Sequence, residues 1–509
     1  MDWLNYVILG VYVLAIASVA YYTKNKGSNL NDFLLAGRGV GGWMIAFSYG
    51  TAYFSAVVFV GYAGRFGASF GLAAVWIGVG NALLGSFLAW KVLAKRTKNM
   101  TEFLDVKTMP EFFERRYYSK NIKLVSTVII FLFLIPYSAS VYTGIGYLFE
   151  AVFGIDFIWC VLIMAALTAL YIFFGGFLAS VLTDFLQGFI MLAGVILMIF
   201  ILLANPHINF GEGLAKLAES GKGLIPAGSG GGLLSSPAFN VIIITLLTSF
   251  GTWGMPQIIH KYYAVKDGRS IRRAAVISSV FALIVASGAY FFGALAGLYP
   301  VPDEIGADNR VPYVVMQAMP AGITGFIVVL LLAASMSTLA AMSLSGASAV
   351  AVDMYKGYID TGASDKRVRN LLRIFSLVFI ALSALLAVVQ FDAIVTLMSF
   401  SWGVLAGCFL GPYLYGLYSK KVSRAAVYSS FVSGITVTVA LIFVLGGIYP
   451  SPDHSGLEAV IRGGAAYSPL IGVISMAVSV IIVPLVSAFT KPPRQSLLTD
   501  MFEAAEKKI

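Results

Sequence analysis

The sequence predicts an all-α polytopic membrane protein, because its composition is strongly apolar and its apolar runs are long enough to cross a bilayer. Of the 509 residues, 59% are hydrophobic and 11% are charged, and the mean hydropathy is +0.87. Soluble domains contain about 45–50% apolar residues. Windows of about 20 apolar residues predict about thirteen transmembrane helices within one membrane domain, residues 1–509. The predicted spans lie near 4–22, 42–64, 71–94, 122–149, 157–178, 182–204, 238–260, 274–299, 322–350, 371–390, 393–418, 425–447 and 467–490.

Basic residues are divided unequally between the two sides of the predicted topology. Twenty-nine of the 34 Lys and Arg residues fall on one set of alternating loops. The positive-inside rule therefore predicts a multi-pass cell-membrane protein with its N-terminus outside and its C-terminus in the cytoplasm. The formal charge of +10 then reflects topology, and we expect the lipid bilayer, but no nucleic acid, as a partner.

Small and hydroxyl-bearing residues occupy the middle of the predicted span 322–350. At helical spacing Ala334 and Thr338 share a face with Ser337 beside them, so one carbonyl and two hydroxyls can converge. In hydrocarbon such oxygens need a partner. This stretch alone leaves two interpretations open, which are close helix packing and a cage of neutral oxygens for a hard monovalent cation.

Two spans are interrupted near mid-membrane. Residues 48–55 of the second span contain Gly50 among polar and bulky residues, and the seventh contains Gly251, Gly254 and Pro256. Discontinuous helices are typical of ion and substrate sites in transporters, although a kinked helix that serves only packing would show the same sequence pattern. The two interrupted spans lie five apart, as two inverted five-helix repeats would place them.

One acidic residue, Asp184, lies within the predicted membrane region after the Gly175-Gly176 pair. It has two interpretations: stabilisation of a helix N-terminus through the helix dipole, or membership of an ion pathway.

Several function classes are excluded by missing motifs. The sequence has no G-x-x-x-x-G-K-[ST] loop for a nucleotide and no G-x-S-x-G nucleophile elbow. Its three histidines have no ligand partners at metal spacing. We therefore predict a protein that is not an enzyme and holds no zinc.

Five motifs occur in order between about residues 30 and 420: GRGVGGW, TMPEFFERRY, GGFLASVLTDFLQG, MPQIIHKYYA and AASMSTLAAMSLSGASAVAVDMYK. Together they resemble the sodium:solute symporter family, and within it the sodium/proline branch. The resemblance implies a LeuT-like core of two inverted five-helix repeats over about 42–418. One extra helix at 4–22, two extra helices within 425–490 and a cytoplasmic tail, 491–509, would flank this core.

The resemblance also implies a site for sodium, which is co-transported and is not a permanent cofactor. Hydroxyls that bind a second sodium in some relatives correspond to Ala340 and Ala341 here, which predicts one sodium per turnover. The family's acidic position falls on Asp184, in the ion pathway. The implied sodium ligands are the backbone carbonyls of Thr51, Phe54 and Ala334 and the hydroxyls of Ser337 and Thr338.

A solute pocket beside the ion is implied in the same way. Proline symporters carry an Asp at the position of Tyr53 and aromatic residues at those of Thr248 and Thr252, while Trp253 can replace one lost aromatic ring. These departures leave the solute open. The implied pocket residues are Tyr53, Ser55, Tyr137, Thr248, Thr252, Trp253, Pro256 and Trp402.

The expected function is sodium-coupled import of a small organic solute, an amino acid such as proline or a related small carboxylate, by alternating access. One alternative is a proton-coupled solute carrier in which Asp184 titrates. Others are a sodium-coupled sugar or pantothenate symporter, and a sensor or channel-like protein that binds solute without concentrating it.

Overall fold

Side-chain caps and glycine bends divide the apolar sequence into helices. The first backbone N–H groups of a helix have no partner within it, and a preceding Ser or Asp side chain can accept from one of them. Ser119, Asp267 and Ser423 each do so. The computed structural model describes residues 3–23, 29–226, 232–302, 304–320, 322–390, 393–493 and 495–506.

Sixteen of the helices are numbered here in chain order. Their bounds are α1 Trp3–Thr23, α2 Gly42–Tyr53, α3 Val57–Phe103, α4 Met109–Tyr117, α5 Lys120–Phe153, α6 Phe157–Leu203, α7 Pro237–Phe250, α8 Pro256–Ala264, α9 Gly268–Ala296, α10 Arg310–Ala318, α11 Ile323–Ile359, α12 Asp365–Val388, α13 Ile394–Tyr418, α14 Arg424–Ile448, α15 Ser468–Phe489 and α16 Gln495–Glu506.

Eleven helices in the described ranges are long and apolar enough to cross a membrane. Both α3 and α6 extend over 47 residues, about 70 Å at 1.5 Å per residue, more than twice the hydrocarbon thickness of about 30 Å. Each contains a glycine with positive φ, Gly71 (φ 60°) in α3 and Gly176 (φ 58°) in α6. Two limbs in each helix would be consistent with thirteen spans, but that number remains a prediction.

The two interruptions predicted from the sequence are present. After α2, Phe54 takes extended backbone angles (φ −108°, ψ 108°) before α3 begins. After α7, Gly251–Gly254 forms a tight turn and Met255 is extended. Pro256 then begins α8, since it has no N–H to continue a preceding helix.

Helix α11 lies at the centre of the bundle. All residues of its most apolar window are buried, compared with 22% for α1, 22% for α14 and 33% for α15. It packs against α1, α2, α5, α6 and α12. The first helix and the last two spans therefore lie towards the periphery, where they would flank a central core.

The segments that precede α2 and follow α8 are joined. Val40 and Val265 form an isolated parallel bridge. Arg38 donates to the backbone carbonyls of Thr101, at 3.1 Å, and Tyr263, at 3.3 Å. Burial lowers the pKa of its guanidinium. The start of α2 and the end of α8, both remote from the breaks, are thus tied to one another and to the end of α3.

Candidate ion and solute site

Four oxygen atoms meet where the last turn of α2 crosses the middle of α11. Ser337 Oγ lies 3.0 Å from the Thr51 carbonyl oxygen and 3.0 Å from that of Ala334. Thr338 Oγ1 lies 3.2 Å and 3.1 Å from the same two oxygens. All four residues are fully buried. Each hydroxyl has one proton and can donate to only one of the two carbonyls at a time.

The break after α2 explains why a carbonyl is available there. The last four carbonyls of a helix lack an intrahelical donor. Phe54 N–H still donates to the Gly50 carbonyl at 3.0 Å, but the chain then becomes extended. The hydroxyls of α11 supply the donors for Thr51 instead, and Thr338 Oγ1 also lies 3.5 Å from the Ala52 carbonyl.

Four of the five sodium ligands implied by the resemblance therefore lie together. Phe54, the fifth, is the next residue but one to Ala52, is fully buried and stacks on the Tyr53 ring at 4.2 Å. Within the described ranges no hydroxyl of α11 bonds to its carbonyl, so Phe54 has the weakest geometric support. No group of three or more His, Cys, Asp or Glu residues suited to a metal ion occurs in the described part of the chain. The cluster consists of neutral oxygens.

Beside these oxygens lies a buried aromatic cluster. The Tyr53 and Trp402 rings are roughly parallel at 6.4 Å, and Tyr137 meets Trp402 edge-on at 5.7 Å. The Tyr137 hydroxyl lies close to Ser55 and Trp402, but neither it nor Trp402 Nε1, both of them buried, makes a hydrogen bond of good geometry among the described residues. Ser55, in the break, accepts from the N–H of Val57 at 3.2 Å. Buried donors without a partner are uncommon, and a bound solute could satisfy both of them.

The predicted solute residues around the second break direct their polar atoms towards α3. Asn81, which sequence reasoning missed, accepts from one of them. Tyr53 OH also donates across the bundle to the Thr248 carbonyl at 2.7 Å. The contacts to α3 are Thr248 Oγ1 to Asn81 Oδ1 at 2.8 Å, Thr252 Oγ1 to Gly85 O at 3.3 Å and Trp253 Nε1 to Leu84 O at 3.2 Å.

Because these donors are engaged within the protein, Thr248, Thr252 and Trp253 can shape a pocket more readily than they can bind solute by hydrogen bonds. Pro256 contributes by fixing the end of the break and the start of α8.

Asp184 forms a buried ion pair that the sequence did not reveal. Its Oδ2 lies 3.4 Å from Lys261 Nζ of α8, and the two side chains are 0% and 1% exposed. Ser48 Oγ of α2 donates to the same Oδ2 at 2.5 Å and accepts from Lys261 at 2.8 Å. Asp184 lies two turns beyond the bend at Gly176, outside the first turn of that limb. The dipole interpretation is therefore disfavoured, and the pair instead links both broken helices to α6.

Sequence comparison places the chain among membrane symporters. The profile of the sodium:solute symporter family matches residues 33–434. The osmoregulated proline transporter OpuE of Bacillus subtilis (strain 168) is 30% identical over 466 residues, which cover 89% of this chain and 91% of that protein. A sodium/proline symporter of Staphylococcus aureus is 29% identical over 513 residues, with coverages of 98% and 95%.

Structure comparison shows the same fold in solved transporters. A Na⁺-coupled sialic acid symporter, solved in a substrate-bound outward-open state, matches with a TM-score of 0.78 at 18% identity, over 97% of this chain and 99% of that one. Mhp1, a nucleobase-cation-symport-1 family transporter in a closed conformation, matches with a TM-score of 0.52 at 13% identity, over 93% and 98%. The fold is all-helical and LeuT-like.

The family profile covers both broken helices, α11 and the pair at Asp184. The expectation drawn from the sequence motifs is confirmed, and the expected absence of enzymatic function agrees with a family of transporters. The chain belongs to the sodium:solute symporter family, and it is a multi-pass membrane protein that imports a small solute together with sodium.

Proposed function

We propose that one sodium ion binds between the break after α2 and the middle of α11, and that it drives import of a small neutral or zwitterionic solute. An amino acid such as proline, or a related small carboxylate, is the solute class we favour. The observation that carries the proposal is the convergence of Thr51 O, Ala334 O, Ser337 Oγ and Thr338 Oγ1.

The spacing of these oxygens suits a hard cation. Oxygen ligands lie about 2.3–2.6 Å from Ca²⁺, an ion of similar size to Na⁺, so ligands at right angles would be about 3.4 Å apart. The hydroxyl–carbonyl distances here are 3.0–3.2 Å. Entry of the ion therefore needs the cluster to expand by a few tenths of an ångström and the two hydroxyl protons to turn away. Neutral ligands suit a single positive charge, and Ala340 and Ala341 support one sodium per turnover.

Sodium binding would order the residues that hold the solute. The ion joins the last turn of α2 to α11, and Tyr53, Phe54 and Ser55 follow directly in the chain. Solute then binds more tightly when sodium is present, and by linkage sodium binds more tightly when solute is present. The core next exposes both to the cytoplasm. Each charge that crosses gains about 2.3 kcal/mol per 100 mV of membrane potential.

The pocket chemistry favours a solute with one polar end and a compact apolar body. The Tyr137 hydroxyl and Trp402 Nε1 are available as donors, and the rings of Tyr53 and Trp402 offer apolar faces. The positive N-terminus of α8, which begins at Pro256, can attract a carboxylate without a basic side chain. Two relatives are named for proline, but Tyr53, Thr248 and Thr252 depart from the proline pattern. Sugar and pantothenate therefore belong on the panel of solutes tested.

Asp184 is proposed to lie on the route by which sodium leaves. A proton-coupled cycle at Asp184 would have to break its 3.4 Å contact with Lys261. An ion that approaches Asp184 would compete with Lys261 for the same oxygen, which links ion release to the contact between α6 and α8.

The remaining topology is proposed from charge and burial. The peripheral position of α1, α14 and α15 supports a core of α2 to α13 over about residues 42–418 with added helices at either end. The basic loops support a cell-membrane location with an external N-terminus and a cytoplasmic C-terminus. The bilayer is the expected partner, and no role is proposed for nucleic acid.

Uptake by proteoliposomes tests the proposal. Labelled proline, other small amino acids, monocarboxylates, pantothenate and sugars are offered with and without an inward sodium gradient. We expect sodium-dependent accumulation of one solute class above its bath concentration. Uptake driven by a pH gradient without sodium would favour the proton-coupled alternative, and uptake without accumulation would favour a channel-like protein.

A further inference from the structure

A groove at the end of the bundle that carries the basic loops combines cationic and apolar walls. It lies between the second limb of α3 and the first turns of α9 and encloses about 590 Å³. That volume falls within the range of small-molecule sites, about 300–1,000 Å³. The groove is far in sequence from the ion cluster on α11 and shares no residue with it.

The two walls change from apolar to basic in the same direction. On α3, Phe87, Lys91 and Lys95 follow one another at intervals of four residues, and on α9 Arg272 and Val276 do the same. The two helices run in opposite directions, so both place their cations towards the loops and their apolar residues deeper in the membrane. Phe87 and Val276 are 42% and 56% exposed, which opens the deeper part of the groove to the surroundings of the bundle.

In the described part of the chain the three cations have no acidic partner. Lys91, Lys95 and Arg272 make no ion pair within the described ranges. Asp267, which precedes α9, accepts the N–H of Ser270 at 2.7 Å as the helix cap. The first residue of α9, Gly268, lines the groove, so the positive end of a 29-residue helix adds to the field of the three side chains. The groove is therefore suited to an anion.

A second observation points to a ligand at the same place. Trp90 also lines the groove, is fully buried, and its Nε1 has no hydrogen-bond partner among the described residues. Its ring packs edge-on against Tyr262 of α8 at 4.8 Å and at a tilt against Tyr49 of α2 at 5.4 Å. A molecule in the groove thus contacts a residue that bridges both broken helices.

We propose that this groove binds an anionic phospholipid, with its phosphate between Lys91, Lys95 and Arg272 and its acyl chains beside Phe87 and Val276. Basic pockets between transmembrane helices are typical binding places for anionic headgroups. The deeper apolar opening favours a lipid over a free phosphate, because a soluble anion would make no use of it. Through Trp90, the bound lipid holds α2 and α8 in their present packing.

Thermal unfolding of the purified full-length protein in neutral detergent tests this assignment. The probes are phosphatidylglycerol, phosphatidylcholine and inorganic phosphate, each titrated separately without sodium. We expect saturable stabilisation by phosphatidylglycerol of about 2–4 °C in melting temperature, and little or none by the other two. Equal stabilisation by phosphatidylcholine would contradict a site specific for negative charge. Equal stabilisation by inorganic phosphate would contradict the proposal that the ligand is a lipid.

Matched variants separate the groove from general surface charge. The triple variant Lys91→Gln/Lys95→Gln/Arg272→Gln should lose most of the phosphatidylglycerol shift. The control Lys266→Gln/Arg269→Gln/Arg273→Gln removes three exposed cations near the same end of α9 that do not line the groove, and it should keep the shift. If the triple variant folds poorly, Lys91→Gln/Arg272→Gln serves in its place. Equal loss in groove and control variants would contradict the proposal.

Discussion

The two breaks in the transmembrane helices present different atoms to their neighbours. At the first break, the Thr51 backbone carbonyl accepts hydrogen bonds from hydroxyls of α11. At the second, the hydroxyls of Thr248 and Thr252 donate to Asn81 and Gly85 of α3. The first break thus offers backbone oxygens, and the second uses its side chains as donors.

This difference distinguishes the proposed ion site at the first break from the structural hydrogen bonds at the second. Ser337 and Thr338 share the same two carbonyl acceptors, so four oxygens surround one point, and their protons can turn away and leave lone pairs for a cation. The hydroxyls of Thr248 and Thr252 also have two acceptors each, but they share none, so breaking those bonds costs stability without bringing oxygens together for an ion. We therefore assign ion binding to the first break and pocket shape to the second, and four predictions test that division.

The largest effect is expected at Asp184, where both broken helices are joined through Ser48 and Lys261. Asp184→Asn leaves the buried Lys261 ammonium without its counter-charge, and we expect the free energy of unfolding to fall by about 3–5 kcal/mol. Denaturation in detergent without sodium measures this. Ser180→Ala removes only a 3.3 Å hydroxyl contact to the same carboxylate and should cost about 1 kcal/mol.

The double variant Asp184→Asn/Lys261→Met removes the unpaired charge as well. It should recover more than half of the stability lost in Asp184→Asn. If the double variant is no more stable than the single one, the ion pair is not the reason for the loss.

Next in size is the effect of Thr338→Ala on sodium. Loss of one hydroxyl ligand to an ion corresponds to about 1.5–3 kcal/mol, so apparent sodium affinity should fall by about tenfold or more. The sodium dependence of solute uptake measures it. Ser335→Ala is the matched control, because Ser335 Oγ donates to the Leu331 carbonyl of its own helix at 2.7 Å. Unchanged sodium dependence in Thr338→Ala would remove this hydroxyl from the site.

A smaller effect is expected on solute choice. Tyr53→Asp replaces a ring beside Trp402 by a carboxylate, and the ratio of uptake between two solutes should change by about tenfold, equivalent to about 1.4 kcal/mol. Competition between labelled solutes measures that ratio. Tyr53→Phe keeps the ring, loses only the bond to the Thr248 carbonyl, and should leave the ratio nearly unchanged. An identical uptake profile in Tyr53→Asp would place residue 53 outside the pocket.

The smallest effect is expected for Thr252→Val, a change of similar volume at the second break. It removes the hydroxyl contacts to Gly85 and Ser249 and should lower the free energy of unfolding by about 1 kcal/mol. Apparent sodium affinity should change by less than about twofold, because the residue does not face the ion cluster. A loss of sodium affinity as large as that of Thr338→Ala would contradict the proposal that only the first break binds the ion.

Much of the fold could be predicted from apolar periodicity and from glycine and proline positions. The interruptions after Tyr53 and before Pro256 are visible as local chemistry. The convergence of Ala334, Ser337 and Thr338 also follows from helical spacing alone. That spacing does not tell which helix faces the hydroxyls, and their approach to Thr51 was implied only by the family resemblance.

Contacts between distant segments were missed for the same reason. From the sequence alone Lys261 is one of the basic loop residues, because nothing local indicates that it turns inward to a carboxylate 77 positions away. Asn81 did leave a signal, since a lone amide within an apolar span requires a hydrogen-bond partner. Its partners, Thr248 and Ser249, belong to the second broken helix, and only tertiary packing identifies them.

Sodium binding to the purified protein tests the central assignment most directly. Melting temperature is measured against sodium concentration at constant ionic strength, with potassium as the replacement ion, for the wild type, Ser337→Ala, Thr338→Ala and Ser335→Ala. We predict saturable stabilisation by sodium in the wild type and in Ser335→Ala, and a shift to about tenfold or more higher sodium in the other two. Identical sodium curves for all four proteins would contradict the ion site between α2 and α11.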